Sequence, residues 1–191
     1  MNKNRIEAFS DGVIAIIITI MVLELKIPRG VTPEAFLPVV PTLLSYLLSF
    51  IFIAIYWNNH HHLFQAVKHI NGRTLWANLH LLFWLTLIPF VTAWMGENRF
   101  TTWPVVFYGA NLLMAGTAYY ILSRNLLTIH GKDSVLSAAL GTDVKSRLSL
   151  IIYVIALVLA FYDALWACAL YVVVAVMWLI PDRRIERTIA A

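Results

Sequence analysis

The sequence reads as an all-α, polytopic membrane protein on three observations. Of its 191 residues 61% are hydrophobic, only 13% are charged, and the apolar residues gather into six long runs. Ordinary soluble domains carry roughly 45–50% apolar and about 25% charged residues. A soluble core cannot use so much apolar surface, whereas a lipid-facing exterior can, because the bilayer needs no polar coat. At about 20 residues per membrane helix the length admits about five to seven spans and no separate soluble catalytic domain. The expected organisation is one six-span unit covering 1–191.

The first run is Ala8–Leu25, closed by Pro28 and Gly30. The second, Phe36–Trp57, follows the prolines Pro33, Pro38 and Pro41 and runs into Asn58 and Asn59. The third is Leu75–Trp94, with Pro89 near its end, and the fourth is Val105–Leu122, entered through Trp103 and Pro104. The fifth and sixth, Leu148–Phe161 and Ala164–Ile180, are separated only by Tyr162 and Asp163 and read as a tight helical hairpin ending at Pro181. Trp57, Trp94, Trp103, Trp178 and Tyr162 fall near run ends, where amphipathic rings favour the membrane interface. The loop 123–146 is too short for a domain, though Val135, Leu136, Ala139 and Leu140 suggest a short amphipathic piece. No cleavable signal peptide is expected, since the first run is polar at its start and lacks a small-residue cleavage site. The single cysteine, Cys168, lies inside an apolar run and reads as packing.

Charge then sets orientation. With six spans, one side holds Lys3, Arg5, Lys68, Arg73, Arg124, Lys132, Lys145, Arg147, Arg183, Arg184 and Arg187. The other holds Lys26, Arg29 and Arg99. Lys and Arg resist translocation, so eleven against three predicts a multi-pass protein of the cell membrane with both termini cytoplasmic. The net charge of +4 is thereby explained by topology, and no nucleic-acid partner is implied.

The first span carries the most telling polar groups, because a charge inside the membrane costs several kcal/mol unless something needs it there. At about 100° per residue, Phe9, Gly12, Ile16, Thr19, Ile20 and Leu23 share one stripe, while Ser10 and Asp11 point elsewhere. The stripe, small and branched at three-to-four-residue spacing, suits contact with symmetry copies of itself. A β-branched run such as Ile14–Ile20 also reads simply as lipid-facing or packed helix, and Thr19 as a hydroxyl bonded back to its own helix. Ser10 and Asp11 should dock against polar neighbours, since a carboxylate at that depth needs a partner. Tyr56 to Phe64, with Trp57, Asn58, Asn59, His60, His61 and His62, and then Asn78 and His80 in the third span, lie at the same depth. A buried network of Arg5, Asp11, Trp57, one or two of the histidines and Asn78 would satisfy all of them, with His60 reaching both Trp57 and Phe64.

A haem or metal centre is the sharper competitor for the histidines, but three consecutive residues point about 100° apart and cannot all hold one ion. With no dinucleotide fingerprint, phosphate-binding glycine loop or cysteine cluster, and with Ser10 and Asp11 on different azimuths, no catalytic centre or cofactor is expected. A proton-conducting pathway through Asp11 and the histidines is an alternative function; a secondary transporter fits less well, since no paired broken helices stand in matching halves.

The segment Arg5, Phe9, Ser10, Asp11, Gly12 leading into an isoleucine-rich span resembles the signature of the transmembrane protein 175 family of potassium channels, with Trp57 to His61 and Asn78 through Pro89 and Phe90 as further matching pieces. The likeness covers most of the chain, with its motif residues in the first three spans. It implies a homotetramer, a pore lined by the first span of each subunit, and no pore-loop selectivity filter. By the same resemblance Ile16 is the hydrophobic constriction, Thr19 a hydroxyl ring and Leu23 the next apolar ring, beside Ile20. Arg5, Ser10, Asp11, Trp57, His60 or His61 and Asn78 match the family's structural network, and potassium is the implied permeant ion.

Overall fold

A computed structural model describes residues 3–131, 134, 136–137 and 144–179. The described elements are all helical: α1 (Lys3–Leu23), a 3-10 turn (Pro33–Val39), α2 (Val40–Gln65), α3 (Gly72–Thr86), α4 (Ile88–Glu97), α5 (Thr102–His130), α6 (Val144–Leu159) and α7 (Ala164–Leu179). Four stretches are long and apolar enough to cross a membrane: Lys3–Leu23, Pro33–Gln65, Gly72–Glu97 and Thr102–His130. α6 and α7 each have 16 residues, short of the roughly 20 a perpendicular span needs. Lys132, Val135, Ala139, Leu140, Ile180, Pro181 and the three arginines that follow lie outside the described residues, whereas Leu136 is buried against the core.

Several boundaries differ from the sequence expectation: α1 begins at Lys3, five residues before the expected run, and α5 continues to His130, eight residues past Leu122 into the expected loop. α2 continues eight residues beyond Trp57, because polar residues do not themselves break a helix when their side chains find partners. Asn59 donates to the Ile55 carbonyl at 2.8 Å, and His60, facing inward, bonds across to α3. The third span is bent into α3 and α4 at Leu87. Pro89 sits in the first turn of α4, where its missing N–H costs least, and Leu87 turns its own N–H to the Trp84 carbonyl at 3.3 Å. The expected hairpin between the last two helices is present. The amides of Tyr162 and Asp163 both bond the Leu159 carbonyl, and Asp163 accepts from the Leu165 amide at 2.8 Å to open α7.

α2 and α5 contribute to both cores of the bundle. One core joins α1 and α3 to them through residues such as Ile14, Ile17, Leu81 and Leu122, and the other joins α4, α6 and α7 through Met95, Tyr108, Tyr153 and Tyr171. Gly109 leaves room on α5 for the Tyr171 side chain of α7, since a Cβ there would collide with its hydroxyl. The helix ends fall into two groups. At one, Lys3 donates to the Phe64 carbonyl at 3.1 Å, and His130 Nε2 accepts from the amides of Lys68 and His69. At the other, Lys26 pairs with Glu97 at 2.6 Å and Trp103 meets Phe161 edge-on.

Candidate functional site

α1 separates its residues sharply by face. Ile6, Ser10, Ile14, Ile17 and Met21, spaced three or four apart, are buried against the bundle. The other face holds Phe9, Gly12, Ile16, Thr19, Ile20 and Leu23, all turned away from the rest of the chain, with Ile16 59% and Leu23 80% exposed. The stripe expected from helical angle therefore faces outward as one surface. Thr19 donates its hydroxyl proton to the Ile16 carbonyl at 2.8 Å, the bond anticipated for a threonine within a helix. Its oxygen lone pairs are then what the outward face presents. Gly12 stands in open space, where an added Cβ would touch nothing. Beside the stripe, Ile16, Ile20 and Glu24 form one wall of a groove of about 420 Å³ whose other wall is Thr86, Pro89 and Phe90.

The polar residues expected to form one buried network divide into two. Ser10, His60 and Asn78 are buried and bonded in a chain across three helices: Asn78 donates its amide to Ser10 Oγ at 2.9 Å, and its Oδ1 meets His60 Nε2 at 2.8 Å. That oxygen can only accept, so Nε2 carries the proton in this bond. The His60 ring also stacks on Phe64, at 4.5 Å between centroids. Asn78 uses both ends of its amide, which locks α3 between α1 and α2 in one register.

Asp11 and Trp57 are the second group, and both are exposed. The Trp57 indole donates to Asp11 Oδ1 at 3.0 Å, and its ring stacks on His61 at 5.9 Å. The residue that Trp57 reaches is thus His61, one helical turn on, and not His60 as its place in the sequence suggested. His61 in turn bonds Gln65 at 2.8 Å. Arg5 joins neither group: it is exposed and bonds no described residue. Phe9 belongs to the outward stripe, not to the network. Among the described residues no three His, Cys, Asp or Glu side chains come together as a metal would require.

Sequence reasoning missed a further polar cluster in the other core. Ser49 of α2 lies 2.6 Å from the Thr92 hydroxyl of α4 and 2.9 Å from the Tyr108 hydroxyl of α5, all three buried. Each is a lone polar residue in an apolar run, and Thr92 also bonds back to the Ile88 carbonyl at 2.6 Å. No local pattern links residues on three separate helices.

Known proteins resemble the chain at three levels. Residues 5–89 match the family described as "Endosomal/lysosomal potassium channel TMEM175". A potassium channel of Chryseobacterium sp. (strain P1-3) is 50% identical over 189 residues, spanning 99% of this chain and 98% of that one. The crystal structure of a lysosomal potassium-selective channel TMEM175 homolog from Chamaesiphon minutus superposes with a TM-score of 0.79 at 27% identity, covering 93% of this chain and 96% of that one. The endosomal/lysosomal proton channel TMEM175 of Danio rerio is 26% identical over 135 residues, 68% of this chain but 25% of that longer protein. The matched stretch includes α1 with its outward stripe and the Ser10, His60 and Asn78 chain, and by near full-length identity to a channel of the same size the chain belongs to the TMEM175 family of ion channels.

Proposed function

We propose that the chain is the subunit of a potassium-selective leak channel in the cell membrane, four copies of which surround a pore lined by α1. The observation that carries the reading is the outward face of α1. Its Ser10 side is anchored to α3 through Asn78, while on its other side Ile16, Ile20 and Leu23 are exposed among the described residues. Four such faces around an axis bring four Ile16 side chains together, and a ring of that kind closes by dewetting and opens when the helices part or rotate. The Thr19 lone pairs, turned outward by the bond to the Ile16 carbonyl, offer a cation an acceptor one turn further along. Potassium passes such a neck more readily than sodium because it holds its water less strongly. No carbonyl filter is invoked. Ile20 and Leu23 continue the lining, and the eleven-to-three division of basic residues puts both termini in the cytoplasm.

Cation flux into liposomes tests this reading. Ile16→Asn should raise potassium leak several-fold and blunt discrimination against sodium, and unchanged flux would remove Ile16 from the constriction. The assembly has its own test: the solubilised complex should have four times the 21.7 kDa of one chain. The proton channel named among the relatives, together with the inward-facing His60, keeps proton conduction as the second reading. A reversal potential that follows the pH gradient would select it.

A further inference from the structure

On the side of α3 away from α1 lies an open groove of about 790 Å³ between α3 and α5. Trp76, at its centre, is two residues from Asn78 and so about 200° around the helix, which separates the groove from the anchor of α1. Its polar lining consists of hydrogen-bond donors. Asn71 spends its Oδ1 on the Thr74 amide at 3.0 Å, and its Oδ1 and that of Asn125 share the one Thr74 hydroxyl proton at 3.1 and 2.8 Å, so both leave an NH₂ group as the free end. His80 accepts from the Trp84 indole through Nε2 at 3.0 Å, which puts its own N–H on Nδ1. Arg73 bonds no described residue and adds a guanidinium fork. Among the described residues no carboxylate lines the groove.

The remaining lining is apolar or amphipathic. Trp76 is 75% exposed, and Ile121 lies across from it on α5. From Asn71 to His80 the groove follows α3 for about 13 Å, from the helix end towards the membrane interior. It is therefore richest in donors where a headgroup would sit, with Trp76 and Ile121 about one turn deeper and the His80 N–H at its inner end.

We propose that this groove binds the phosphate of an anionic phospholipid, with Arg73 and the Asn71 and Asn125 amides on the phosphate and Trp76 against the glycerol and upper acyl region. Guanidinium and amide donors match phosphate oxygens, and tryptophan favours the interfacial depth. A zwitterionic lipid offers the same phosphate but brings an ammonium group, for which this lining holds no anionic partner. The groove lies at the end of the bundle that carries Lys3, Lys68 and Arg73, which the orientation proposed above assigns to the cytoplasmic leaflet, where anionic lipids concentrate.

The test is quenching of Trp76 by brominated lipid in phosphatidylcholine vesicles, read as the difference between the full-length protein and Trp76→Phe. It reports binding whichever ion the channel passes and whichever way it is inserted. Brominated phosphatidylglycerol should quench Trp76 at a lower mole fraction than brominated phosphatidylcholine. Arg73→Gln should weaken that preference about fivefold, the worth of one basic residue near an anionic surface, and Arg73→Lys should retain part of it. Arg73 and Trp76 are both exposed, so neither substitution opens a cavity. Arg124→Gln, which alters an exposed arginine outside the lining, should leave the preference unchanged. Equal quenching by the two lipids overturns the proposal. So does an Arg124→Gln effect as large as that of Arg73→Gln, which would mark a general surface charge, or displacement of the brominated lipid by inorganic phosphate, which would mark a site for a soluble anion.

Discussion

The two faces of α1 differ in where their polar groups find partners. On the inner face Ser10 is fully buried and closed off by Asn78, which is itself closed off by His60. On the outer face Thr19 turns its proton back to its own helix, Asp11 accepts from the indole of Trp57, and Ile16, Ile20 and Leu23 stay exposed, the first two walling an open groove. Inside lipid every buried polar group needs a partner, so the inner face is complete as folded. The outer face is left uncovered by the described residues. Substitutions should therefore divide in the same way, inner ones acting on stability and outer ones on conduction.

The largest expected effect is at Asn78. Asn78→Leu fills a similar volume but removes both bonds of the chain, leaving the Ser10 hydroxyl and the His60 N–H buried without partners. At about 1–3 kcal/mol for each unsatisfied group, the solubilised protein should lose several degrees or more of thermal stability and assemble poorly. A variant that melts like the parent would show that the inner face is not held by this chain of bonds. His60→Phe made together with Asn78→Leu should recover part of the loss, because removing both members of a buried pair costs less than removing one.

These two groups also show what the sequence could disclose. The six apolar runs, the α6–α7 hairpin and the outward stripe of α1 all follow from apolar length and helical angle, which are local properties. Ser10, His60 and Asn78 were legible as polar residues at one depth, and that they meet follows from the need to satisfy them. Which of the flanking residues join them was not legible. Asp11 is one residue from Ser10, and that single step of about 100° carries it from the core to the surface. Arg5 and Phe9 likewise belong to the sequence motif without touching the buried chain. The cluster of Ser49, Thr92 and Tyr108 lay beyond reach for a different reason: each residue is alone in its own run, and only the packing of α2, α4 and α5 brings them together.

A smaller effect is expected at the edge between the faces. Trp57→Phe removes one exposed hydrogen bond to Asp11 and keeps the stacking on His61, so it should cost about 1 kcal/mol or less. Asp11→Ala should cost about the same, and the double variant no more than either alone, since both remove one interaction. A larger loss from Asp11→Ala than from Trp57→Phe, carried unchanged into the double variant, would mean that Asp11 holds a second partner. The place for one is the outer face, in another copy of the chain, and the excess would measure it.

Thr19→Val should have the smallest effect on stability and the most specific effect on ions. The hydroxyl bonds only its own helix, and valine keeps the shape and branching, so the melting point should move by no more than a surface substitution does, within about 0.5 kcal/mol. Four copies of the change would nevertheless replace four oxygen acceptors with methyl groups at one level of the proposed pore. A dehydrating potassium ion then meets no ligand beyond Ile16, and the potassium to sodium flux ratio should fall towards that of a purely hydrophobic neck. Thr19→Ser, which retains the oxygen, should keep the ratio. If valine and serine give the same ratio as threonine, Thr19 is only a back-bonded residue on a lipid-facing stripe, and the outer face of α1 conducts nothing at that level. If instead valine lowers the melting point as Asn78→Leu does, Thr19 is packed against a neighbouring subunit, and the division between the two faces fails at the position where it was drawn most sharply.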